Sequence, residues 1–157
     1  MGIEIIFNPL ERYAIEHVIM DYNGTLAIDG KIIPETLPLI KALTERVNVH
    51  VITSDTFKMA AEELKNLPVK LTIIKSGQEK QQKLFYLENL GRDRCIAIGN
   101  GSNDTMMLSK AAIGIAVIQG EGASVETVQA AKIVCYNIVH AIELCLNPKR
   151  IVATLRK

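Results

Sequence analysis

The fold is decided by the stretch HVIMDYNGT at positions 17–25. Its first four residues predict a short strand buried in a sheet. The strand then ends in Asp21 and a turn that contains Gly24. Open α/β sheets place their chemistry at the carboxyl ends of their strands, so a carboxylate in this position is a candidate nucleophile. An Asp, an Asn and a Gly in sequence also form ordinary surface turns, and this stretch alone leaves both interpretations open.

Apolar strand-like runs alternate with amphipathic helical runs along the rest of the chain. Strands are predicted over 17–20, 47–52, 71–74, 95–98, 113–117 and 132–135. Helices are predicted over 35–46, 57–66, 78–90, 104–112, 124–131 and 138–146. This alternation predicts a doubly wound, mostly parallel α/β sheet of the Rossmann-like kind, with helices on both faces. A further edge strand is predicted over 3–7.

The segment after Thr25 predicts a short β-hairpin. Asp29 and Gly30 stand between β-prone residues, and this pair of residues favours a type I′ turn. The next predicted helix begins a few residues later, which leaves too little chain for an inserted cap domain. We therefore expect a hairpin flap over residues 26–33, and one domain over residues 1–157.

Composition limits the class of protein. The 157 residues are 48% hydrophobic, which is enough for one substantial core. The formal net charge is +1 and tryptophan is absent, so neither a basic stripe nor a stacking platform for nucleic acid is expected. Three cysteines without a Cys-x-x-Cys pair argue against a disulfide framework and a zinc site. An odd number of cysteines in a chain that opens without a leader pattern indicates reduced thiols, so a cytoplasmic protein is expected. No apolar run has membrane-spanning length, so no membrane contact is expected.

Two further segments could bind a phosphoryl group near the carboxylate. Thr53 and Ser54 follow the strand at 47–52, where a hydroxyl and backbone N–H groups suit a phosphoryl oxygen. A helix cap is the alternative role for Thr53. Lys80 begins the helix at 78–90, and its ammonium group could neutralise both the carboxylate and the phosphoryl group. Lys83, one turn later, is the rival for this role.

The second most specific segment is IGNGSND at positions 98–104, where a predicted buried strand meets a helix. Its glycines allow a close approach of the backbone. Asn100 and Asp104 supply the hard oxygen atoms that Mg²⁺ prefers. A magnesium site beside this loop is therefore expected.

In these four segments the chain resembles the haloacid dehalogenase superfamily. The family pattern is an Asp-x-x-x-Thr loop, a Thr or Ser at a strand end, a Lys, and a Gly-Asp-x-x-x-Asp loop, in that order. The corresponding segments here are Asp21–Thr25, Thr53, Lys80 and Gly99–Asp104. More narrowly, the chain resembles the soluble P-type ATPase-like proteins, which share the phosphorylation-domain fold of the ion pumps. The resemblance covers nearly the whole chain and implies a capless phosphohydrolase or phosphotransferase.

The resemblance also implies a role for each candidate residue. Asp21 would accept the phosphoryl group and form an aspartyl-phosphate, which splits the transfer into two displacements. The catalytic set would consist of Asp21, Asn23, Thr53 and Lys80. The phosphoryl oxygens would be bound by Thr53, Ser54, Gly24 and Lys80. The Mg²⁺ ion would be held by Asp21, the Asn23 carbonyl, Asn100 and Asp104.

Two amides stand where most phosphatases of the superfamily carry carboxylates. Asn23 cannot exchange a proton with the leaving group, so we expect a long-lived phosphoenzyme and a preference for good leaving groups. Asn100 removes one negative charge from the metal site, so we expect weaker Mg²⁺ binding. A catalytically weak or inactive protein that binds a phosphoryl ligand or another protein is the alternative.

The absence of a cap domain bears on the partners. Capless members often rely on a neighbouring subunit to restrict access to the site, so a homo-oligomer, either a dimer or a tetramer, is expected. The expected ligand is a small phosphorylated substrate or phosphoryl donor. A monomer that acts on a large substrate is the alternative.

Overall fold

The computed structural model describes residues 1–54 and 58–157. The strands, in chain order, are β1 (Ile3–Asn8), β2 (Glu11–Ile15), β3 (His17–Asp21), β4 (Ala27–Ile28), β5 (Lys31–Ile32), β6 (Asn48–Thr53), β7 (Lys70–Ile73), β8 (Cys95–Gly99), β9 (Ile113–Val117) and β10 (Ile133–Cys135). The α-helices are α1 (Thr36–Thr44), α2 (Met59–Leu64), α3 (Glu79–Leu90), α4 (Thr105–Lys110), α5 (Val125–Ala130), α6 (Ile138–Leu146) and α7 (Pro148–Leu155). Short 3₁₀-helices span Arg92–Arg94 and Ser102–Asp104.

The main sheet has the strand order β10-β9-β8-β3-β6-β7, and every neighbouring pair in it is parallel. The chain runs outward from β3 to β7, returns to β8 on the other side of β3, and runs outward again to β10. The order therefore reverses between β3 and β8, and ligands of such sheets bind at that point, beyond the carboxyl ends of the strands. This arrangement confirms the predicted doubly wound α/β fold.

The strands of the main sheet are covered on both faces. Val18 and Met20 of β3 belong to the larger apolar cluster, while Ile19 belongs to the cluster on the opposite face. Side chains alternate between the faces of a strand, so a strand buried on both sides must be apolar throughout. The same packing leaves all three cysteines buried and free.

The first strand does not join the main sheet as the predicted edge strand. Instead, β1 pairs with β2 in a separate antiparallel hairpin. The reversal has a local cause, because the Asn8 side chain accepts hydrogen bonds from the backbone N–H groups of Leu10 and Glu11 at 2.8 and 2.9 Å. This contact stabilises the two-residue turn that directly follows the strand.

The observed bounds of other elements differ from the predicted ones by a few residues. The helix predicted over 104–112 begins as a 3₁₀ turn at Ser102 and ends at Lys110. The helix predicted over 57–66 is observed over Met59–Leu64, and residues 55–57 lie outside the described part of the chain. The helix Pro148–Leu155, which contacts β1, was not among the predicted elements.

The predicted hairpin flap is present directly after the strand that carries Asp21. Strands β4 and β5 pair antiparallel, and the turn residues Asp29 and Gly30 have φ angles of 52° and 81°. Two consecutive positive φ values are what a type I′ turn requires. Within residues 1–54 and 58–157, no helix has the length and apolar character that crossing a bilayer requires.

Candidate active site

Asp21 lies at the carboxyl end of the central strand β3, at the point where the strand order reverses. Its side chain is 10% exposed. One carboxylate oxygen, Oδ1, lies 3.0 Å from Nζ of Lys83, and Oδ2 lies 3.4 Å from the hydroxyl of Thr25. The carboxylate thus faces the lysine and the glycine turn rather than the apolar core.

Lys83, and not Lys80, contacts Asp21. The side chain of Lys83 is 1% exposed, and its Nζ donates to Asp21, to Asp104 at 2.7 Å and to Asn103 at 2.9 Å. Lys80 is in the first turn of α3, where its Nζ lies 3.2 Å from Glu126 and 32% of its side chain is exposed. Lys83 is one turn further along, on the helix face that also buries Leu87.

Asp104 is fully buried, and hydrogen-bond donors contact both of its carboxylate oxygens. Oδ1 accepts from Lys83, while Oδ2 accepts from the backbone N–H groups of Asn100 and Gly101 at 3.1 and 3.0 Å. Gly99 makes room for this arrangement, because a Cβ at that position would lie 2.4 Å from Cγ of Asp104. The structure therefore directs Asp104 at the lysine and the loop, although the sequence pattern predicted a metal ligand.

The side-chain amide of Asn100 has one orientation that satisfies its partners. Nδ2 donates to the carbonyl oxygen of Gly122 at 3.1 Å, and Oδ1 accepts from the Thr25 hydroxyl at 3.1 Å. A carbonyl oxygen can only accept, so the atom beside Gly122 must be the NH₂ group. The carbonyl of Asn100 consequently points towards Thr25, whose hydroxyl is also near Asp21.

Gly24 makes this contact possible but does not offer its N–H to a ligand. A Cβ at Gly24 would lie 2.3 Å from Nδ2 of Asn100, and the residue has a φ of 81°. Its backbone N–H donates to the carbonyl of Ala27 at 2.8 Å. The predicted binding of a phosphoryl oxygen by Gly24 is therefore not supported by its geometry, because the turn already uses its donor.

Thr53 and Ser54 lie beside Asp21 on the neighbouring strand. In the pairing of β3 with β6, Asp21 is opposite Ile52, so Thr53 is one residue beyond it. Thr53 is buried and Ser54 is half-buried. Asn23, in contrast, is exposed in the turn after Asp21.

The charged groups of the site shift one another's pKa. Burial raises the pKa of Asp21, and the charge of Asp104 adds to the rise, while Lys83 opposes it. Burial alone would lower the pKa of Lys83, but the attraction of Asp21 and Asp104 outweighs burial and raises it. Lys83 therefore stays protonated, and one buried cation faces two buried carboxylates.

The donor set of the site fits a hard divalent cation. Asp21 and the carbonyl of Asn100 are both oxygen donors, and they are linked through the Thr25 hydroxyl. In the described residues no three His, Cys, Asp or Glu side chains form a group that could hold a metal by themselves. Mg²⁺ is commonly held by one or two carboxylates and keeps several waters, so this sparse oxygen set suits it better than zinc.

Cavity size does not locate the chemistry. A cavity of about 570 Å³ is lined by Glu88, Gly91 and Arg92–Arg94, at the far end of α3 from Lys83. None of the polar residues around Asp21 lines this cavity. The buried polar cluster at the strand ends, rather than a deep pocket, therefore defines the candidate site.

Sequence reasoning missed three contributors to this cluster. Thr25 was noted only as part of a motif, yet its hydroxyl joins Asp21 and Asn100. Asn103, a neighbour of a predicted ligand, accepts from Lys83. Gln119 carried no motif, and its side chain contacts the turn after Asp21 from a different loop.

Comparison with known proteins agrees with this geometry. A family model of haloacid dehalogenase-like hydrolases matches residues 56–138, which is more than half of the chain. An uncharacterised protein of Methanocaldococcus jannaschii is 44% identical over 86 residues, a match that covers 52% of this chain and 92% of that protein.

Two solved structures show the same fold at low identity. One is the 3-deoxy-D-manno-octulosonate 8-phosphate phosphatase of Moraxella catarrhalis in complex with a magnesium ion, a phosphate ion and a KDO molecule. It has a TM-score of 0.70 at 18% identity, and the match covers 90% of this chain and 94% of that chain. The other is the cobalt-bound deoxy-D-mannose-octulosonate 8-phosphate phosphatase of Haemophilus influenzae. It has a TM-score of 0.70 at 17% identity, and the match covers 91% of this chain and 94% of that chain. The chain belongs to the haloacid dehalogenase-like hydrolases.

Proposed function

We propose that this protein is a Mg²⁺-dependent phosphohydrolase or phosphotransferase that forms an aspartyl-phosphate on Asp21. The observation that carries the proposal is the position of Asp21 at the switch point of the sheet, between Nζ of Lys83 and the hydroxyl of Thr25. A buried carboxylate with a fixed cation beside it is a perturbed group of the kind that active sites use.

The proposed reaction has two displacements. An oxygen of Asp21 attacks phosphorus, a new P–O bond forms, and the bond to the leaving group breaks with its electron pair on the leaving group. Water then attacks the phosphorus of the acyl phosphate, which releases phosphate and restores the carboxylate. Lys83 takes the place first assigned to Lys80 and neutralises charge on Asp21 and the phosphoryl group.

The remaining residues bind or position the reacting groups. Thr53 and the backbone after it, including Ser54, would bind phosphoryl oxygens. Asp104 holds the ammonium group of Lys83 in place rather than binding the metal. Mg²⁺ would be held by Asp21, the Asn23 carbonyl and Asn100, and when bound it would supply positive charge that favours the approach of an anionic phosphate.

Asn23 predicts which substrates react. An exposed amide cannot protonate a leaving group, and the loss of general acid help typically costs about 10²- to 10⁴-fold in rate. Substrates with good leaving groups, such as acyl or aryl phosphates or a nucleotide γ-phosphate, should be preferred. Asn23 also cannot activate the water that hydrolyses the phosphoenzyme, so Asn23→Asp should raise turnover of an aryl phosphate, and an unchanged rate would argue against this explanation.

Several finer expectations belong to the same proposal. The segment GNGSND and the amide at Asn23 support the soluble P-type ATPase-like group. The activity that the solved relatives carry in their names supports a small phosphorylated substrate. A homo-oligomer and a cytoplasmic location remain predictions from the sequence.

A binding-only protein is the second candidate. The amides Asn23 and Asn100, in positions where the superfamily usually has carboxylates, favour it. The two candidates are separated by phosphate release from acetyl phosphate and an aryl phosphate with and without Mg²⁺. Enzyme activity should require Mg²⁺, disappear in Asp21→Asn and persist in Asp29→Asn, a matched change in the exposed turn of the flap. Release that persists in Asp21→Asn would contradict the proposed nucleophile.

A further inference from the structure

The side chain of Gln119 joins the turn after Asp21 to the start of helix α6. Its Nε2 donates to the carbonyl oxygens of Gly24 and Thr25 at 3.0 and 2.5 Å. Its Oε1 accepts from the backbone N–H of Ile138 at 2.9 Å. One half-buried side chain thus contacts three backbone groups in two distant segments.

The chemistry of the partners fixes the orientation of this amide. Two carbonyl oxygens can only accept a hydrogen bond, and the N–H of Ile138 can only donate one. A glutamate side chain has the same shape but would place a carboxylate oxygen against both carbonyls. Asparagine is one methylene shorter, and its amide would lie closer to its own backbone. The three contacts therefore specify a glutamine at this position.

Different contacts hold the two segments that Gln119 joins. Helix α6 is anchored by Ile138, Ala141, Ile142 and Cys145, which are all fully buried. The turn at 22–27 is held from within by hydrogen bonds from the N–H groups of Gly24 and Ala27 to the carbonyls of Ala27 and Tyr22. Gln119 adds a tie from this turn to the packed helix.

The hydrogen bonds of Gln119 affect the position of the reacting groups. The backbone of Thr25 accepts from Gln119, while its hydroxyl contacts Asp21 and Asn100. A shift of this turn would move the hydroxyl relative to both side chains. Misplacement of a reacting group by about 1 Å can cost about 100-fold in rate.

We propose that Gln119 is a positioning residue that holds the turn after Asp21 in the geometry required for phosphoryl transfer. The inference rests on the proposed function for its kinetic consequence, but its structural part is independent of activity. Gln119 acts through the backbone of Gly24 and Thr25 and does not itself touch the reacting atoms.

The first test is the rate of phosphoenzyme formation in Gln119→Glu as a function of pH. At pH 8 the introduced carboxylate repels both carbonyls, and the maximal rate of phosphoenzyme formation should fall by about 10- to 100-fold, with little change in the donor concentration that gives half of this rate. As the pH falls towards 5 the carboxyl gains a proton and can donate again, so the rate relative to the unmodified protein should rise. Gln129→Glu, the same change at an exposed position of α5, should keep a ratio near one at every pH.

A purely structural role would give a different profile. If the ratio for Gln119→Glu is independent of pH, or equals the ratio for Gln129→Glu, the positioning role is overturned. Dividing each rate by that of the unmodified protein cancels the titration of groups that both proteins share.

Hydrogen exchange provides the second test and requires no activity. In Gln119→Glu and Gln119→Leu, amide exchange should accelerate in residues 22–28 and remain unchanged in strand Cys95–Gly99. Unchanged exchange at 22–28, or faster exchange throughout the chain, would overturn the proposal. If the unmodified protein forms no phosphoenzyme, the proposed function fails, while exchange still decides whether Gln119 holds the turn.

Discussion

The two ends of the central part of the sheet carry polar clusters of different character, one partly buried and one buried. Towards the amino ends of the strands, Nδ1 of His17 lies 3.0 Å from Nε2 of His50, and Nδ1 of His50 lies 2.7 Å from the Tyr86 hydroxyl. At the carboxyl end, Lys83 lies between Asp21 and Asp104. Strand β3 and helix α3 contribute to both clusters, whereas β6 contributes His50 to the first and the 3₁₀ turn after β8 contributes Asp104 to the second.

The first cluster is neutral and the second is charged. Burial lowers the pKa of His50 to about 4, and the charges of His17 and Lys70 add to the decrease. Burial also lowers the pKa of His17. Neither imidazole is therefore driven to hold a charge at neutral pH, whereas the raised pKa of Lys83 keeps its ammonium charged.

This difference indicates which cluster serves chemistry. Hydrogen-bonded neutral groups satisfy one another at modest cost, so they are sufficient where only structure is required. Burying an ionised group costs several kcal/mol before the attraction of its partners is counted. Charged groups buried at the switch point of the sheet are therefore better explained by a role in chemistry than by a role in structure alone.

The largest effect is expected when the cation of the charged cluster is removed. Lys83→Met leaves two buried carboxylates without their partner, so we expect loss of phosphoenzyme formation and a fall of about 3–5 kcal/mol in the free energy of unfolding. Urea unfolding and the rate of phosphoenzyme formation measure these effects. Lys80→Met should cost less than about 1 kcal/mol, because that lysine pairs with Glu126 at a partly exposed site. Equal effects of the two changes would reject the assignment of Lys83.

The close approach at the carboxyl end can be tested with two glycines of similar backbone conformation. Gly24 and Gly77 have φ angles of 81° and 88°, but only Gly24 has a neighbour, Asn100, within reach of an added Cβ. Gly77→Ala should cost about 1–2 kcal/mol from the left-handed conformation alone. Gly24→Ala should cost a further 1–3 kcal/mol, roughly, from steric overlap. Similar urea midpoints for the two variants would show that the contact is not required.

The amide at position 100 makes the charged end of the sheet less negative than a carboxylate there would. Asn100→Asp loses the donor to the Gly122 carbonyl, so the metal-free protein should lose about 1–3 kcal/mol of stability. The added charge should tighten Mg²⁺ binding, which thermal unfolding with and without Mg²⁺ measures. Asn103→Asp is the matched control, since an acid there can still accept from Lys83. A metal-free Asn100→Asp protein as stable as the original would contradict the assigned orientation of the amide.

The neutral cluster predicts the smallest effect. The folded pKa of His50 lies near 4 and its ordinary value is 6.5, so between these values the unfolded chain binds a proton that the folded chain excludes. Stability from this source is complete above pH 6.5 and decreases as the pH falls, by about 1–2 kcal/mol at pH 5. His50→Gln should flatten this pH dependence relative to the unmodified protein, while His140→Gln, at an exposed position, should not. Parallel profiles for all three proteins would count against a neutral His50.

The sequence predicted the main sheet because its strands are short and apolar. Runs such as Cys95–Gly99 must be buried on both faces, and their alternation with amphipathic segments leaves few other folds. The helix Pro148–Leu155 was missed although Asn147 and Pro148 form a recognisable helix start. The strand Glu11–Ile15 was missed because it has little apolar alternation, and its position depends on the turn that Asn8 stabilises.

Site residues could be predicted from the sequence where a local motif marks their position. They could not be predicted where contacts between distant segments determine it. Asp21 and Thr53 follow buried strands, so their positions could be inferred from strand ends. Lys80 and Lys83 are three residues apart on one helix, and only the packing of α3 against the loop of Asp104 distinguishes them. Gln119 contacts residues more than ninety positions away, and no local pattern carries that information.

In the proposed reaction, Asp21 accepts a phosphoryl group. The direct measurement is incubation with acetyl phosphate and Mg²⁺, acid quenching, and mass analysis of the intact protein and its peptides. A phosphate adduct on the peptide that contains Asp21, dependent on Mg²⁺ and absent from Asp21→Asn, is the predicted result. No adduct, or one that maps to another residue and persists in Asp21→Asn, would contradict the account.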